Sequence, residues 1–202
     1  MQTNKILISL FVIVVAIGCK KPVVNTFDAK SFPLAVGNWW RYQQVDGFAS
    51  ITDTIVLGVV SMTVDGNTKD YTCQLLKNGA IIDSGHFLFS DTALYYHGAS
   101  GYSYFGFFNL KLPFIPGQKW PGILPHDTIF AEGYLSKSGN YNGVYYSPDY
   151  IITRRINVPK YFLSEQIELT PGVGVIVHSI DIQSDTASWQ QVDFTLIDYH
   201  VQ

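Results

Sequence analysis

The sequence predicts an all-β protein, and three observations support that fold class. Tyr and Phe, each present 13 times among the 202 residues, suit the half-buried pleated surface of a sheet. Short runs of alternating apolar residues are separated by turn signals that contain Gly, Asn, Asp or Pro. After residue 19, no stretch has apolar residues at the spacing of an amphipathic helix. We therefore expect one antiparallel, strongly curved sheet, a barrel or half-barrel, of about ten strands.

The first 18 residues are predicted to be a lipoprotein signal peptide. Lys5 supplies a positive charge, and the apolar run at residues 6–17 is too short to span a bilayer, which needs about 20 residues. The run ends in Ala16-Ile17-Gly18-Cys19, and small residues before a cysteine resemble a bacterial lipobox. Cleavage before Cys19 and its acylation would anchor the chain to a membrane. A secretory signal with an incidental cysteine, or a retained membrane anchor, are the alternatives.

The residues that follow Cys19 bear on location and domain organisation. Lys20-Lys21-Pro22 contains no acidic residue. Acidic residues here serve as retention signals for the inner membrane or, in Bacteroidota, as export signals for the cell surface, so the periplasmic face of the outer membrane is favoured. Residues 19–31 are expected to form a tether. Residues 32–202 are expected to form a single β domain, with 32–111 and 112–202 as candidate duplicated halves.

Strands in the first half are expected at residues 39–45, 51–63, 70–77, 80–90, 92–96 and 102–109. Asn78-Gly79 between two alternating runs predicts a hairpin with a type I′ turn, because both residues tolerate a positive φ. That turn predicts the register of the hairpin. The expected pairs are Lys77 with Ala80, Leu75 with Ile82, Cys73 with Ser84, and Tyr71 with His86.

In the second half, four prolines between residues 113 and 125 predict an extended connection without regular structure. Strands are expected at residues 128–136, 166–170, 173–182 and 191–201, and residues 144–158 are expected to form one or two strands around Pro148. Residues 163–169 are expected to form at most one turn of helix, with Glu165 and Glu168 on a solvated loop face.

A nine-residue pattern occurs twice, at the start of residues 32–42 (FPLAVGNWWRY) and in residues 112–120 (LPFIPGQKW). Pro33, Gly37 and Trp40 of the first copy correspond to Pro113, Gly117 and Trp120 of the second. Proline sets an extended approach, glycine permits a tight bend, and tryptophan then enters the core. We interpret both copies as structural anchors at the starts of strands, and we expect both tryptophans to be buried.

These motifs, with residues 169–177 (LTPGVGVIV), resemble those of a family of uncharacterised β-rich envelope lipoproteins of Bacteroidota. The family pattern is FPLxVGNxWxY, then PxxxGxxW, then PGVG. The resemblance covers most of the mature chain. It implies an antiparallel β domain on a lipid anchor, with structural roles for Gly172 and Gly174, and it brings no catalytic residues.

Composition and motifs argue against most chemistries. The net charge of −3 and the lack of a basic run exclude a nucleic-acid footprint. The five histidines lack HExxH or another metal spacing, and no serine lies in GxSxG. With Cys19 acylated, Cys73 is the only thiol, so neither an intrachain disulfide nor a cysteine metal site is available. We therefore expect no enzyme activity, no cofactor and no metal; a hydrolase using scattered carboxylates is the enzymatic alternative.

One aromatic segment, residues 95–108, is a candidate ligand platform. Tyr102 and Tyr104 share one side of a predicted strand, and Phe107 lies on the other. Together with Tyr95 they could stack on sugars or line a groove for acyl chains. The leading interpretation is thus a membrane-anchored, non-enzymatic binding or structural module, and the alternative is a carrier of an apolar or glycan ligand.

Overall fold

The computed structural model describes residues 27–47, 51–98, 109–122, 127–133, 139–141, 144–146, 150–158, 161–184 and 187–202. No helix in these ranges is long and apolar enough to cross a bilayer. They contain a 3-10 helix (Ala29–Ser31) and the strands β1 (Trp39–Asp46), β2 (Ile51–Asp65), β3 (Thr68–Lys77), β4 (Ala80–Ser90), β5 (Ala93–Gly98), β6 (Asn109–Lys111), β7 (Lys119–Pro121), β8 (Asp127–Gly133), β9 (Gly139–Tyr141), β10 (Val144–Tyr146), β11 (Tyr150–Val158), β12 (Tyr161–Thr170), β13 (Gly174–Ser184) and β14 (Ala187–His200).

Twelve of these strands form one antiparallel sheet, in the order β6-β5-β4-β3-β2-β1-β14-β13-β12-β11-β8-β7, while β9 and β10 form a separate hairpin. Nearly all neighbours are consecutive in sequence, and β14 returns to pair with β1. The first and last strands therefore lie in the middle of the sheet, and its two edges, β6 and β7, are consecutive in the chain. The sheet is nearly closed and barrel-like, which confirms the predicted all-β class.

The two ends of the barrel differ in what they hold. Because neighbouring strands are antiparallel, turns alternate between the ends. We call proximal the end with residues 27–38, 112–118, and the turns at Gly66 and Gly172; the distal end has the Asn78-Gly79 turn. Phe27 is fully buried and exchanges two backbone hydrogen bonds of 3.0 Å with Phe114. The fold therefore begins within the segment expected to be a tether, before residue 32.

Aromatic side chains fill the proximal interior. The rings of Phe27 and Phe114 stack at 5.0 Å, and both meet Tyr150 edge to face, at 5.2 and 5.4 Å. Such offset and edge-on pairs are the favoured geometries of aromatic rings. Trp120 packs on Phe114 at 6.0 Å. The proline-rich connection is thus held to the N-terminal segment by a buried aromatic cluster.

The predicted hairpin forms, but its register differs from the expected one. Asn78 (φ 50°) and Gly79 (φ 84°) confirm the turn, and Lys77 lies opposite Ala80 as predicted. A β-bulge after Leu75 then shifts the pairing by one residue, so the three other predicted pairs are wrong. The observed pairs are Leu75 with Asp83, Cys73 with Gly85, and Tyr71 with Phe87.

The physical reason for the shift lies in the two faces of β4. A one-residue slip moves every later side chain to the opposite face. The bulge places Phe87 in the core, 3% exposed, and turns His86 outward, where its Nδ1 lies 2.9 Å from Asp70. The alternation rule was right on both sides of the bulge, but the bulge itself had no turn signal.

Candidate functional site

A buried charged cluster lies inside the barrel on three adjacent strands. Nη1 of Arg154 donates to Oε2 of Glu165 at 3.2 Å, and Nε2 of His178 lies 2.6 Å from Oε1 of the same carboxylate. The side chains of these residues are only 6%, 3% and 0% exposed. The His178 ring also stacks on Phe194, at 5.7 Å. Glu165 thus links a guanidinium and an imidazole out of contact with solvent.

Strand register brings the cluster together. Arg154 on β11 lies directly opposite Glu165 on β12, and His178 on β13 lies opposite Ile167, so it is the diagonal neighbour of Glu165. Diagonal neighbours on one face of a sheet are within reach of long side chains. The expectation of a solvated loop at residues 163–169 is therefore wrong for Glu165. A signal was present: Arg154 and Glu165 are equidistant from Pro159-Lys160, the connection between β11 and β12.

A His–carboxylate pair is a familiar element of acid–base catalysis, but a catalytic base must come within hydrogen-bond reach of the proton it takes. Neither His178 nor Glu165 reaches solvent in this structure. No group of three or more His, Cys, Asp or Glu residues arranged to hold a metal ion occurs among the residues that the structure describes. The geometry of the cluster is that of a buried ion pair with an added imidazole.

The two copies of the repeated motif adopt the same backbone geometry. Gly37 has φ +94° and donates its N–H to Val59 O at 2.9 Å, and Val59 donates in turn to Asn38 O at 2.9 Å. In the second copy, Gly117 has φ +88° and donates to Ala131 O at 2.8 Å, while Ala131 donates to Gln118 O at 2.9 Å. The two motif copies therefore share a backbone geometry, and the duplication of the halves stays a prediction.

Both motif tryptophans are buried, as the anchor interpretation requires. Trp40 is 2% exposed and Trp120 is 7% exposed. The prolines differ in their surroundings: the Pro33 carbonyl accepts a 2.6 Å hydrogen bond from the Asn38 side chain, while Pro113 is exposed and follows a cis peptide bond.

The PGVG turn meets the first motif inside the barrel. Trp40 donates its indole N–H to the carbonyl of Val173, and the Tyr42 hydroxyl donates to Val175 O at 3.0 Å. Gly172, at φ +74°, donates its N–H to Ser31 O at 2.8 Å. Gly174 lies directly against the indole ring, with φ +100°. The three sequence motifs therefore converge at the proximal end.

We expect Gly174→Ala to destabilise the protein more than Gly117→Ala. Both residues have a positive φ, which costs a residue with a Cβ about 1–3 kcal/mol. A Cβ at Gly117 would meet open space, whereas one at Gly174 would lie 3.2 Å from Nε1 of Trp40. Urea unfolding of the two variants measures the difference. Equal losses of unfolding free energy would show that the contact with Trp40 adds no strain.

The predicted aromatic platform is only partly within the described residues. Tyr95 is half-buried on β5, opposite Leu88 and Asn109. Tyr102, Tyr104 and Phe107 lie outside the described residues, as does Cys19. Ligand binding by this segment stays a prediction.

A cleft of about 390 Å³ opens at the proximal end, between the N-terminal segment and strands β3 and β4. Its walls are mixed: Phe32, Leu34, Tyr71 and Phe89 supply apolar surface, and charged residues border them. The bordering charges are Lys30, Lys69 and Asp91.

Comparison with known proteins identifies the fold. No family model and no curated protein matches the chain. A protein of Bacteroides fragilis, classified as exported and with a YmcC-like fold, aligns with a TM-score of 0.52 and 11% identity over 87% of this chain and 100% of its own. A protein of Parabacteroides distasonis, classified as a lipoprotein, aligns with a TM-score of 0.48 and 11% identity over 87% and 99%. At this identity the first alignment shows the fold alone, and the chain shares the YmcC-like architecture.

Proposed function

We propose that this protein is a membrane-anchored envelope lipoprotein whose β domain is a non-enzymatic binding or structural module. The observation that carries the proposal is Ala16-Ile17-Gly18-Cys19, at the end of the apolar run of the N-terminus. Phe27 is already part of the folded domain. A lipid on Cys19 would therefore be joined to the proximal end of the barrel through residues 20–26 alone.

Location in the outer membrane, facing the periplasm, is part of the proposal. It is supported by the lipobox-like motif together with the absence of acidic residues in Lys20-Lys21-Pro22. The Bacteroides fragilis protein that shares the fold is classified as exported, which agrees with an envelope location. The resemblance of the three motifs to Bacteroidota envelope lipoproteins supports the same assignment.

The non-enzymatic part of the proposal is supported by the state of the reactive side chains. The buried His178–Glu165 pair does not reach solvent. Cys73 is also fully buried, and this burial raises the pKa of its thiol to about 12. Since the thiolate is the nucleophilic form, Cys73 stays protonated and unreactive at neutral pH.

Counting thiols tests the anchor. The full sequence has two cysteines, and acylation would convert Cys19 to a thioether. We expect protein isolated from membranes to show one reactive thiol after denaturation and none when native, because only the buried Cys73 remains. The reading comes from a colorimetric thiol reagent, with the mass of the intact chain as a second measure. Two reactive thiols after denaturation would contradict the proposal.

Matched single substitutions test whether Cys19 is the residue that attaches the protein to the membrane. Cys19→Ser should move the protein from the membrane to the soluble fraction, whereas Cys73→Ser should leave it with the membrane. Separation of the inner and outer membranes then identifies the membrane that holds the protein. Protease treatment of whole cells, in a parallel sample, identifies the face on which the protein lies. Membrane partition that is the same for Cys19→Ser and the unchanged chain would overturn the lipoprotein assignment.

A further inference from the structure

The β2–β3 hairpin carries an apolar stripe beyond the core. Gly58 pairs with Trp39, the first residue of β1, yet β2 continues to Asp65. A β-bulge between Val59 and Ser61 shifts the side-chain alternation at this point. Beyond it, Met62 lies opposite the buried Tyr71 and Val64 opposite Lys69, so both are on the core-facing side of the hairpin. The bulge thus keeps apolar residues on that face of β2 beyond the point where β1 pairs with it.

Other exposed apolar residues lie at the same end of the barrel. Val36 and Ile115 are in the two equivalent turns of the repeated motif, one residue before Gly37 and two residues before Gly117 respectively. Pairing of β2 and of the motif turns places the whole set at the proximal end. The exposed fractions are 47% for Val36, 45% for Val60, 40% for Met62, 61% for Val64 and 41% for Ile115.

The N-terminal segment joins the folded domain at this same end, through Phe27. Cys19 and Phe27 are eight residues apart in the chain, and a fully extended segment of that length spans at most about 26–29 Å. A lipid on Cys19 would hold the proximal end within that distance of a bilayer. A short tether raises the effective concentration of the held surface, so a few apolar side chains suffice for contact.

We propose that the proximal end of the barrel is a membrane-contact surface. Val36, Met62, Val64 and Ile115 enter the interfacial layer of the phospholipid bilayer in which the Cys19 lipid is embedded. This inference rests on the proposed lipoprotein assignment and adds the orientation of the domain: the distal end points away from the membrane. The cleft beside the hairpin then opens at the lipid surface.

Charge does not drive this contact. Lys30, Lys69 and Asp91 border the cleft, and Asp65 ends β2 at the proximal end, so side chains of both charges are present there. Exposed charge pairs are screened by salt, whereas burial of apolar surface is not. The contact should therefore persist at high ionic strength and should not require anionic lipid.

Site-specific fluorescence tests the orientation. Val64→Cys and, as control, Ile81→Cys are introduced separately into the full chain with Cys73→Ser, and each is labelled with an environment-sensitive dye. Ile81 is the matched control because it is 59% exposed and lies in the distal hairpin. The lipid-anchored protein is reconstituted into phosphatidylcholine vesicles whose acyl chains carry a quencher near the headgroup. We expect at least a twofold loss of fluorescence at position 64 and little change at position 81.

A measurement without a dye accompanies it. Hydrogen exchange at the β2–β3 turn should slow at least twofold when the anchored chain is on vesicles, relative to soluble Cys19→Ser, while exchange at the Asn78-Gly79 turn stays the same. Equal quenching at both positions, or none at position 64 while the protein remains on the vesicles, overturns the membrane contact and leaves the anchor intact. Failure of the unchanged chain to carry lipid overturns both.

Discussion

Trp40→Ala should lower the free energy of unfolding by about 3–5 kcal/mol, the cost typical of deleting a buried tryptophan side chain. The indole is 2% exposed, contacts Phe32 and Gly174, and donates its N–H to the Val173 carbonyl. For a chain of this length, that loss corresponds to a fall in melting temperature of about 6–20 °C. Urea unfolding followed by far-UV circular dichroism measures it.

The neighbouring tryptophan is a matched control. Trp39 lies on the opposite face of β1, where it stacks on His200 at 6.3 Å and lies under the Arg41 guanidinium. Trp39→Ala should cost less than about 1 kcal/mol, because the ring is half-buried and its partners lie at the outer surface. Trp120→Ala, the equivalent change in the second motif, should be close to Trp40→Ala. If Trp39→Ala and Trp40→Ala cost the same, the anchor role of Trp40 is refuted.

Glu165→Leu is expected to cost about 3–5 kcal/mol, because it takes from the buried Arg154 guanidinium the carboxylate that accepts its hydrogen bond. His178 loses its 2.6 Å partner at the same time. The double variant Arg154→Met with Glu165→Leu should be more stable than Glu165→Leu alone, since no buried charge of the pair then remains. A double-mutant cycle on unfolding free energies gives the coupling between the two side chains.

An exposed ion pair on the same sheet provides the comparison. Arg41 and Asp198 are 3.0 Å apart across β1 and β14, with side chains 43% and 50% exposed. Asp198→Ala should cost less than about 1 kcal/mol, because solvent screens this pair. A loss at Glu165 no larger than that at Asp198 would mean that burial of the cluster contributes nothing to its energetics.

Local patterns in the sequence were sufficient for the fold class and for several turns. Alternating apolar residues predicted strands, and Asn78-Gly79 predicted a type I′ turn that the structure confirms. The repeated motif predicted burial of Trp40 and Trp120, and both are buried. These features depend on side-chain periodicity or on the backbone preferences of one or two residues, so they are encoded within a few positions.

The strand register and the buried cluster were decided by the tertiary structure. The bulge after Leu75 carries no local signal and forms where the core requires Phe87 on the inner face, while the bulge after Val59 has only the nearby Gly58 as a sequence signal. They place Phe87 inside the barrel and Met62 on the inner side of a projecting hairpin. Pairing of β1 with β14 joins residues more than 140 positions apart, which no local pattern can specify.

The same distinction applies to function. The sequence by itself supplied the lipobox-like motif at Cys19, the β-rich class and the repeated anchors, because each is a short run of particular residue types. Only the tertiary structure brought Arg154 and His178 to the carboxylate of Glu165. Only the tertiary structure placed the exposed Val36, Met62, Val64 and Ile115 at the proximal end, where the N-terminal segment joins the folded domain. The physical reason is that strand register sets the side chains of β11, β12 and β13 side by side, while the antiparallel order of the sheet brings separate turns to the same end of the barrel.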